Sequence, residues 1–247
     1  MKKNLLPILA AAALPVWSHA QITNPGFESG LNGWTITAGD TGNALGDFST
    51  ATSLPGLGDF ANTTVNPTEG SQFGLISDSL LNYSEFGDSE AVSQTFNINT
   101  AGILSLNYRF LTEAVNVPAY NPNAQVILTI GGNSFTLASV SRNDLQADPA
   151  GGGPLSPGAS YAVGGDVNGI GQNAWQTATF NLASYIGQSA TLSFSVSQDA
   201  APNDSFLTDQ LAVDNLQISA VPEPTTTTVW AAGFGLFTLL VLRRKKR

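Results

Sequence analysis

Carboxylates are nearly the only charged groups available for chemistry between residues 21 and 219. Of eighteen Asp and Glu in the chain only Glu223 lies outside that span. Of nine basic residues, Lys2, Lys3 and Arg243-Arg244-Lys245-Lys246-Arg247 lie outside, so seventeen acids face Arg109 and Arg142 alone, a net charge near −15. No Cys occurs, and the single His, His19, precedes the region. A thiol nucleophile, a His general base, a Ser-His-Asp triad and His/Cys zinc ligation are therefore absent from it. With no Lys in the span, Schiff-base chemistry and Ser-Lys dyads go too. Two chemistries survive: a pair of carboxylates acting on a glycosidic bond, and oxygen ligation of a hard cation such as Ca2+. Glu113, which follows Phe110-Leu111-Thr112, together with Asp209 makes the best available pair, although no spacing brings them together. The acids Glu85, Asp88 and Glu90 read as a solvated turn. Asp166-Val167-Asn168-Gly169-Ile170-Gly171 has the look of a calcium loop but fails as one. Its fifth position is Ile170 and its twelfth is Thr177, where oxygen ligands belong, so it reads as a turn.

The elements that must position these groups are strands. Leu104, Leu106, Tyr108 and Phe110 alternate with Ser105, Asn107 and Arg109, and Leu192, Phe194 and Val196 alternate with Thr191, Ser193 and Ser195. Val126, Leu128 and Ile130 follow the same period. Further strands are expected over 72–77, 91–98, 134–140, 175–182 and 211–219. Turn residues punctuate the gaps, no helical stripe exceeds one turn, and no repeat of fixed period is present. The expectation is an all-β fold, an antiparallel two-sheet jelly-roll sandwich over residues 21–219. Two Gly/Pro-rich stretches, 39–68 and 145–171, read as long loops, functional or disordered. Parity shifts once: Leu211 and Val213 are odd, Leu216 and Ile218 even, which requires a β-bulge at Asp214-Asn215.

Both ends are addresses. Lys2-Lys3, an apolar stretch from Leu5 to Val16 and Ser18-His19-Ala20 make residues 1–20 a signal peptide, cleaved by signal peptidase to leave Gln21 first. At the other end Val221-Pro222-Glu223-Pro224 leads through a Thr run to an apolar segment, 229–242, and then to the cluster Arg243, Arg244, Lys245, Lys246 and Arg247. Five cations do not cross a bilayer, so the C-terminus stays cytoplasmic and the rest lies outside. The apolar run of 14 residues is short of the roughly 20 that span hydrocarbon unaided, which suits a transient hydrophobic helix better than a permanent one. The negative domain is not expected to bind nucleic acid.

In order and content the tail, 220–247, resembles the PEP-CTERM sorting domain of exopolysaccharide-producing bacteria. That resemblance implies an exosortase, a membrane-embedded cysteine protease, as a processing partner. It also implies an inner-membrane precursor, then release to the cell envelope, outer surface or extracellular matrix of a Gram-negative-type bacterium. Asn24-Pro25-Gly26-Phe27-Glu28 with Gly33-Trp34, the run from Trp175 through Asn181 to Gln188, and Val213-Asp214-Asn215-Leu216 resemble the two ends of galactose-binding-like jelly rolls, the superfamily of many carbohydrate-binding modules. There the first and last strands lie side by side and often share a structural Ca2+. Carried across, Glu28 and Asp214 become the candidate carboxylate ligands and Asn24 an additional oxygen donor. Trp34 and Trp175 are then expected inside, and Tyr83, Phe86, Tyr120 and Tyr161 on the surface. The expected protein is not an enzyme: it is an exported, exopolysaccharide-associated sandwich, possible glycan binding included. The alternatives are a carboxylate-dependent glycoside hydrolase and a permanently membrane-anchored adhesin.

Overall fold

Half-buried alternation dictates paired layers, and in the computed structural model the alternation is realised strand by strand. The structure describes residues 22–38, 48–55, 64–79, 89–112, 121–145, 160–162, 170–197 and 208–220. The strands are β1 (Thr35–Ala38), β2 (Phe48–Ala51), β3 (Leu54–Pro55), β4 (Thr64–Val65), β5 (Phe73–Ser79), β6 (Ser89–Asn97), β7 (Gly102–Thr112) and β8 (Asn123–Ile130). They continue with β9 (Asn133–Ser141), β10 (Ser160–Ala162), β11 (Ile170–Gln172), β12 (Gln176–Asn181), β13 (Ser189–Ser197) and β14 (Thr208–Ala220). One helical turn, α1 (Arg142–Leu145), follows β9.

Two antiparallel sheets face each other. One runs β1-β6-β13-β8-β9; the other runs β10-β11-β7-β14-β5-β2, with β12 on the same edge of β7 as β11. Strand β14 is thus central, hydrogen-bonded to β7 on one side and β5 on the other. Between the sheets lies the main core, with Val92, Leu128 and Phe194 on one side and Leu106, Phe110 and Leu211 on the other, all fully or almost fully buried. Trp34 stacks on Phe27 at 5.2 Å and meets Phe194 at 5.3 Å, closing one margin of this core. Phe27 fits there because β5 offers Gly74 beneath it; a Cβ at Gly74 would lie 2.7 Å from the ring.

The strands expected from alternation all form, and β14 carries the expected bulge. Asp214 pairs with Asn107 and Gln217 with Ser105, so Asn215 and Leu216 together oppose Leu106, and Asn215 takes φ 52°. Six short strands lie in or beside the stretches read as loops. Of these β3 and β4 form a two-residue hairpin and β10 and β11 a three-residue ladder.

The outer faces of the two sheets differ. On the five-stranded sheet the cross-strand rows Ser93-Ser193-Ile127-Thr136 and Thr95-Thr191-Thr129-Ser134 carry no charge. On the larger sheet a second apolar cluster of Val65, Phe73, Leu75, Leu111 and Ala212 sits outside the sandwich core, with Leu54 and Trp175 against it.

Candidate functional site

Glu28 and Asp214, from opposite ends of the domain, meet the same five-residue segment. Residues 68–72 lie in the connection from β4 to β5. Asp214 Oδ2 accepts from the Thr68 amide (2.5 Å), the Thr68 hydroxyl (2.9 Å) and the Glu69 amide (3.0 Å), while Oδ1 accepts from the Asn215 amide (2.7 Å). Glu28 Oε1 accepts from the amides of Ser71 (2.6 Å) and Gln72 (2.9 Å), and Oε2 from the Ser71 hydroxyl (2.5 Å). The Ser71 hydroxyl, then the Gln72 and Ser71 amides, hold the Glu28 carboxyl below its ordinary value, because each bond favours the ionised form. Gly70 lies between the two anchors at φ 63°, and a side chain there would fall onto the Glu28 carboxylate. Asp214 is fully buried and its four hydrogen bonds compensate its desolvation.

Whether these residues suit Ca2+ depends on which oxygens are free. Asn24 anchors its own turn: its amide donates to the Gly30 carbonyl (2.7 Å), and its Oδ1 accepts one hydrogen bond, from Ser29 (3.0 Å), which leaves that oxygen a second lone pair. Its carbonyl accepts from Phe27 (3.2 Å) and Trp34 Nε1 (3.3 Å). Asn24 therefore shapes the turn that delivers Glu28. Glu28 Oε2 and Asp214 Oδ1 each carry one hydrogen bond, so each keeps a lone pair that a hard cation would use. Among the described residues no group of three or more His, Cys, Asp or Glu side chains gathers at one point.

Sequence reasoning missed a polar cluster on the outer face of the larger sheet. Ala212 pairs with Arg109, and Gln210 with Leu111. Leu111 and Ala212 belong to the outer apolar cluster, so Arg109 and Gln210 share that face. Gln172 and Ser77 extend the row to either side. Arg109 Nη2 donates to Gln172 Oε1 at 2.7 Å, and Gln210 Nε2 to Ser77 Oγ at 3.3 Å. Arg109 Nε and Gln210 Oε1 are buried with no partner. Among the described residues no carboxylate pairs with Arg109, and burial pushes its guanidinium below its ordinary pKa. The buried Gln94 on the other sheet differs: its Oε1 takes the Thr23 amide (2.6 Å) and its Nε2 serves the carbonyls of Thr23 (2.9 Å) and Gly33 (2.8 Å). A detectable signal existed. Phe110 and Leu111 are adjacent apolar residues, which in a strand means that both faces are covered.

Other candidates fall as follows. Asp209 is fully buried at the start of β14, and Glu113 lies outside the described residues. Glu90 is buried, not solvated, because it continues the inward parity of Val92, Gln94 and Phe96. Trp34 packs inside as expected. Trp175 lies on the outer face of the larger sheet, half-buried, edge-on to Phe73 at 6.0 Å and bonded to the Asn66 carbonyl at 3.2 Å. Tyr83, Phe86 and Tyr120 lie outside the described residues, as do residues 1–20, where a signal peptide is expected, and 221–247 with the apolar run 229–242. No helix among the described residues is long and apolar enough to cross a membrane.

Several solved structures share the overall form. The module TmCBM61 in complex with β-1,4-galactotriose has TM-score 0.42 and 13% identity, covering 83% of this chain and 100% of that one. CBM27-1 of Caldicellulosiruptor saccharolyticus in complex with mannohexaose has TM-score 0.42 and 10% identity, covering 79% and 94%. The enzymatically active domain of bacteriophage CBA120 tailspike protein 4 has TM-score 0.39 and 13% identity, covering 82% and 21%. Likeness at this level assigns no ligand and no activity to this chain. No curated protein matches it. Residues 220–246 match the PEP-CTERM protein-sorting motif, which marks an exported protein.

Proposed function

We propose that the protein is a non-catalytic component of the cell envelope or extracellular matrix, processed by an exosortase and associated with exopolysaccharide through its sandwich. One observation carries this reading. Strand β14 ends at Ala220, where the sorting motif begins, so the sandwich is itself the cargo that the motif delivers. The exported part offers no His, Cys or Lys, which leaves only carboxylates for catalysis and supports binding over turnover. A structural Ca2+ belongs to the same proposal. Glu28 and Asp214, with Asn24 as a further oxygen donor, would hold it beside segment 68–72, where it would neutralise two of the domain's many acids.

Intact-mass analysis of the protein from its own cells tests the sorting. The expected form starts at Gln21 and lacks Arg243 to Arg247, and Glu223→Ala accumulates as membrane-bound precursor. A mature form that keeps its basic cluster would instead be a permanently anchored adhesin. Release of reducing ends from a glycan panel, stopped by Glu113→Gln, would make it a glycoside hydrolase. For the metal, saturating Ca2+ raises the Tm of the full chain, by the equivalent of about 2.7 kcal/mol at a hundredfold excess over Kd. The response disappears in Glu28→Ala and Asp214→Ala and persists in Asp166→Ala. A Tm indifferent to both Ca2+ and chelator removes the metal and leaves the clasp resting on hydrogen bonds.

A further inference from the structure

We infer that one end of the sandwich, where β9 of one sheet meets β12 of the other, is a binding site for an uncharged sugar, received on the rings of Phe135, Phe180 and Tyr185 with Ile186 beside them. The inference rests on the exopolysaccharide reading above and names the surface and the class of residue recognised. Charge singles this end out. Residues 121–141 and 170–197, which supply β8, β9, β11, β12 and β13, contain no Asp, Glu, Lys, Arg or His, in a domain with seventeen acids. Strands β9 and β12 lie at the margins of opposite sheets, and the 3-10 turn Ala183–Tyr185 follows β12, so the three rings converge. Phe135 and Phe180 are 4.9 Å apart, and Tyr185 lies 5.7 Å from each. All three are half-buried, whereas Phe27, Trp34 and Phe48 at the opposite margin are at most 9% exposed. Ile186 is 52% exposed, and Ile103, opposite Asn181 at the same end, is 41% exposed.

The exposed polar side chains around the rings are neutral amides. Asn133 opens β9, and Gln188 lies against the β8–β9 turn, its Oε1 2.9 Å from where a Cβ on Gly131 would stand. Asn181 spends Oδ1 on the Ala183 amide at 2.9 Å, and its Nδ2 has no hydrogen bond among the described residues. An amide both donates and accepts, as a sugar hydroxyl does, and an aromatic ring suits the C–H face of a sugar. Covering such a patch with an uncharged ligand strips no ion of its water. An acidic glycan would find no cation here and would be repelled by the acids elsewhere, while a cationic polymer would be drawn to those acids instead. Area decides against a protein partner. The three rings and Ile186 expose on the order of 200 Å2, and a stable protein interface takes about 800 Å2 from each partner.

The test uses the full chain in detergent and exopolysaccharide from the producing cells, separated by anion exchange into neutral and acidic fractions and immobilised on beads. The neutral fraction is expected to retain the protein equally at low and physiological salt, because no ion pair is made. Ile186→Asp, at an exposed position, should weaken that binding about tenfold with Tm unchanged, since its carboxylate would have to lose water under the sugar. Tyr185→Ala should weaken it about as much through loss of one ring contact. Ile36→Asp, at a comparably exposed isoleucine on β1, should bind as wild type does. Retention by the acidic fraction alone, or retention that falls as salt rises, belongs to Arg243 to Arg247 and overturns the inference. If Ile186→Asp binds the neutral fraction like wild type, the site is refuted and the exopolysaccharide reading stands, whatever Tyr185→Ala does to Tm. A wild-type dimer that Ile186→Asp converts to monomer in sedimentation equilibrium would make the patch a contact between copies and overturn the inference too. If neither fraction retains the protein, the exopolysaccharide reading fails with it.

Discussion

The outer faces of the two sheets are built from similar polar alternation and meet opposite fates. On the five-stranded sheet, Thr95 and Thr191 share a hydrogen bond across strands at 2.9 Å, Thr129 and Ser134 another at 3.0 Å, and neighbouring Ser and Thr side chains lie partly in water. Water satisfies what the protein does not, so this face places few demands on its sequence. The larger sheet carries its polar residues into burial: Gln172, Gln210 and Ser77 are each at most 9% exposed, and apolar side chains lie among them. There each unpartnered atom costs free energy, so an orphan on that face carries information that an orphan in water does not.

The contrast can be broken most severely at Leu111, fully buried on the covered face. Leu111→Ala is expected to cost about 3 kcal/mol in urea unfolding, as for an ordinary core leucine. Its counterpart on the open face is the only partly buried Ile127, where Ile127→Ala should cost less, about 1 kcal/mol. Equal losses at the two positions would mean that the open face is covered as well. A smaller effect comes from the clasp below β5, the strand that supplies Phe73 and Leu75 to the covered face. The Glu28 carboxyl is lowered in the folded state, so its contribution is complete above its ordinary value of 4.5 and fades as pH falls through the folded value. The Tm gap between wild type and Glu28→Gln should accordingly narrow below about pH 4.5; a gap constant from pH 3 to 7 would show that the bonds to Ser71 and Gln72 do not depend on charge. Smallest of all, Ser193→Ala and Thr191→Val should each shift stability by no more than about 0.5 kcal/mol.

Much of the frame was legible because alternation is a direct record of burial. Leu192, Phe194 and Val196 declare an inward face, and the change of parity at Asp214-Asn215 declares a bulge. The short strands were not legible. Phe48-Ser49-Thr50-Ala51 is too brief for a period, and Leu54-Pro55 contains a residue that normally argues against a strand. Pairing of that kind is set by what neighbouring strands offer, which no local pattern carries. The clasp was half legible: resemblance selected Glu28 and Asp214, but their partners, Thr68 to Gln72, are distant in sequence and contribute mostly backbone amides, which have no sequence signature. Arg109 was correctly placed on the polar face of its strand. Polar alternation does not reveal whether that face meets water, so its isolation emerged only from the packing.

The central position of β14 also sets a schedule. A chain exported N-terminus first delivers β5 and β7 well before the strand that lies between them, and that strand comes last, ending beside the sorting motif. Until it arrives the larger sheet has two open edges, and Phe110, Ile76 and Leu75 lack part of their cover. Long-range pairing of this kind is slow to form and leaves sticky intermediates. The larger sheet therefore completes itself only once β14, which runs up to the motif at 220–246, has been delivered. A protein truncated before Thr208 would be exported as an unfinished sheet, fit for degradation and not for delivery.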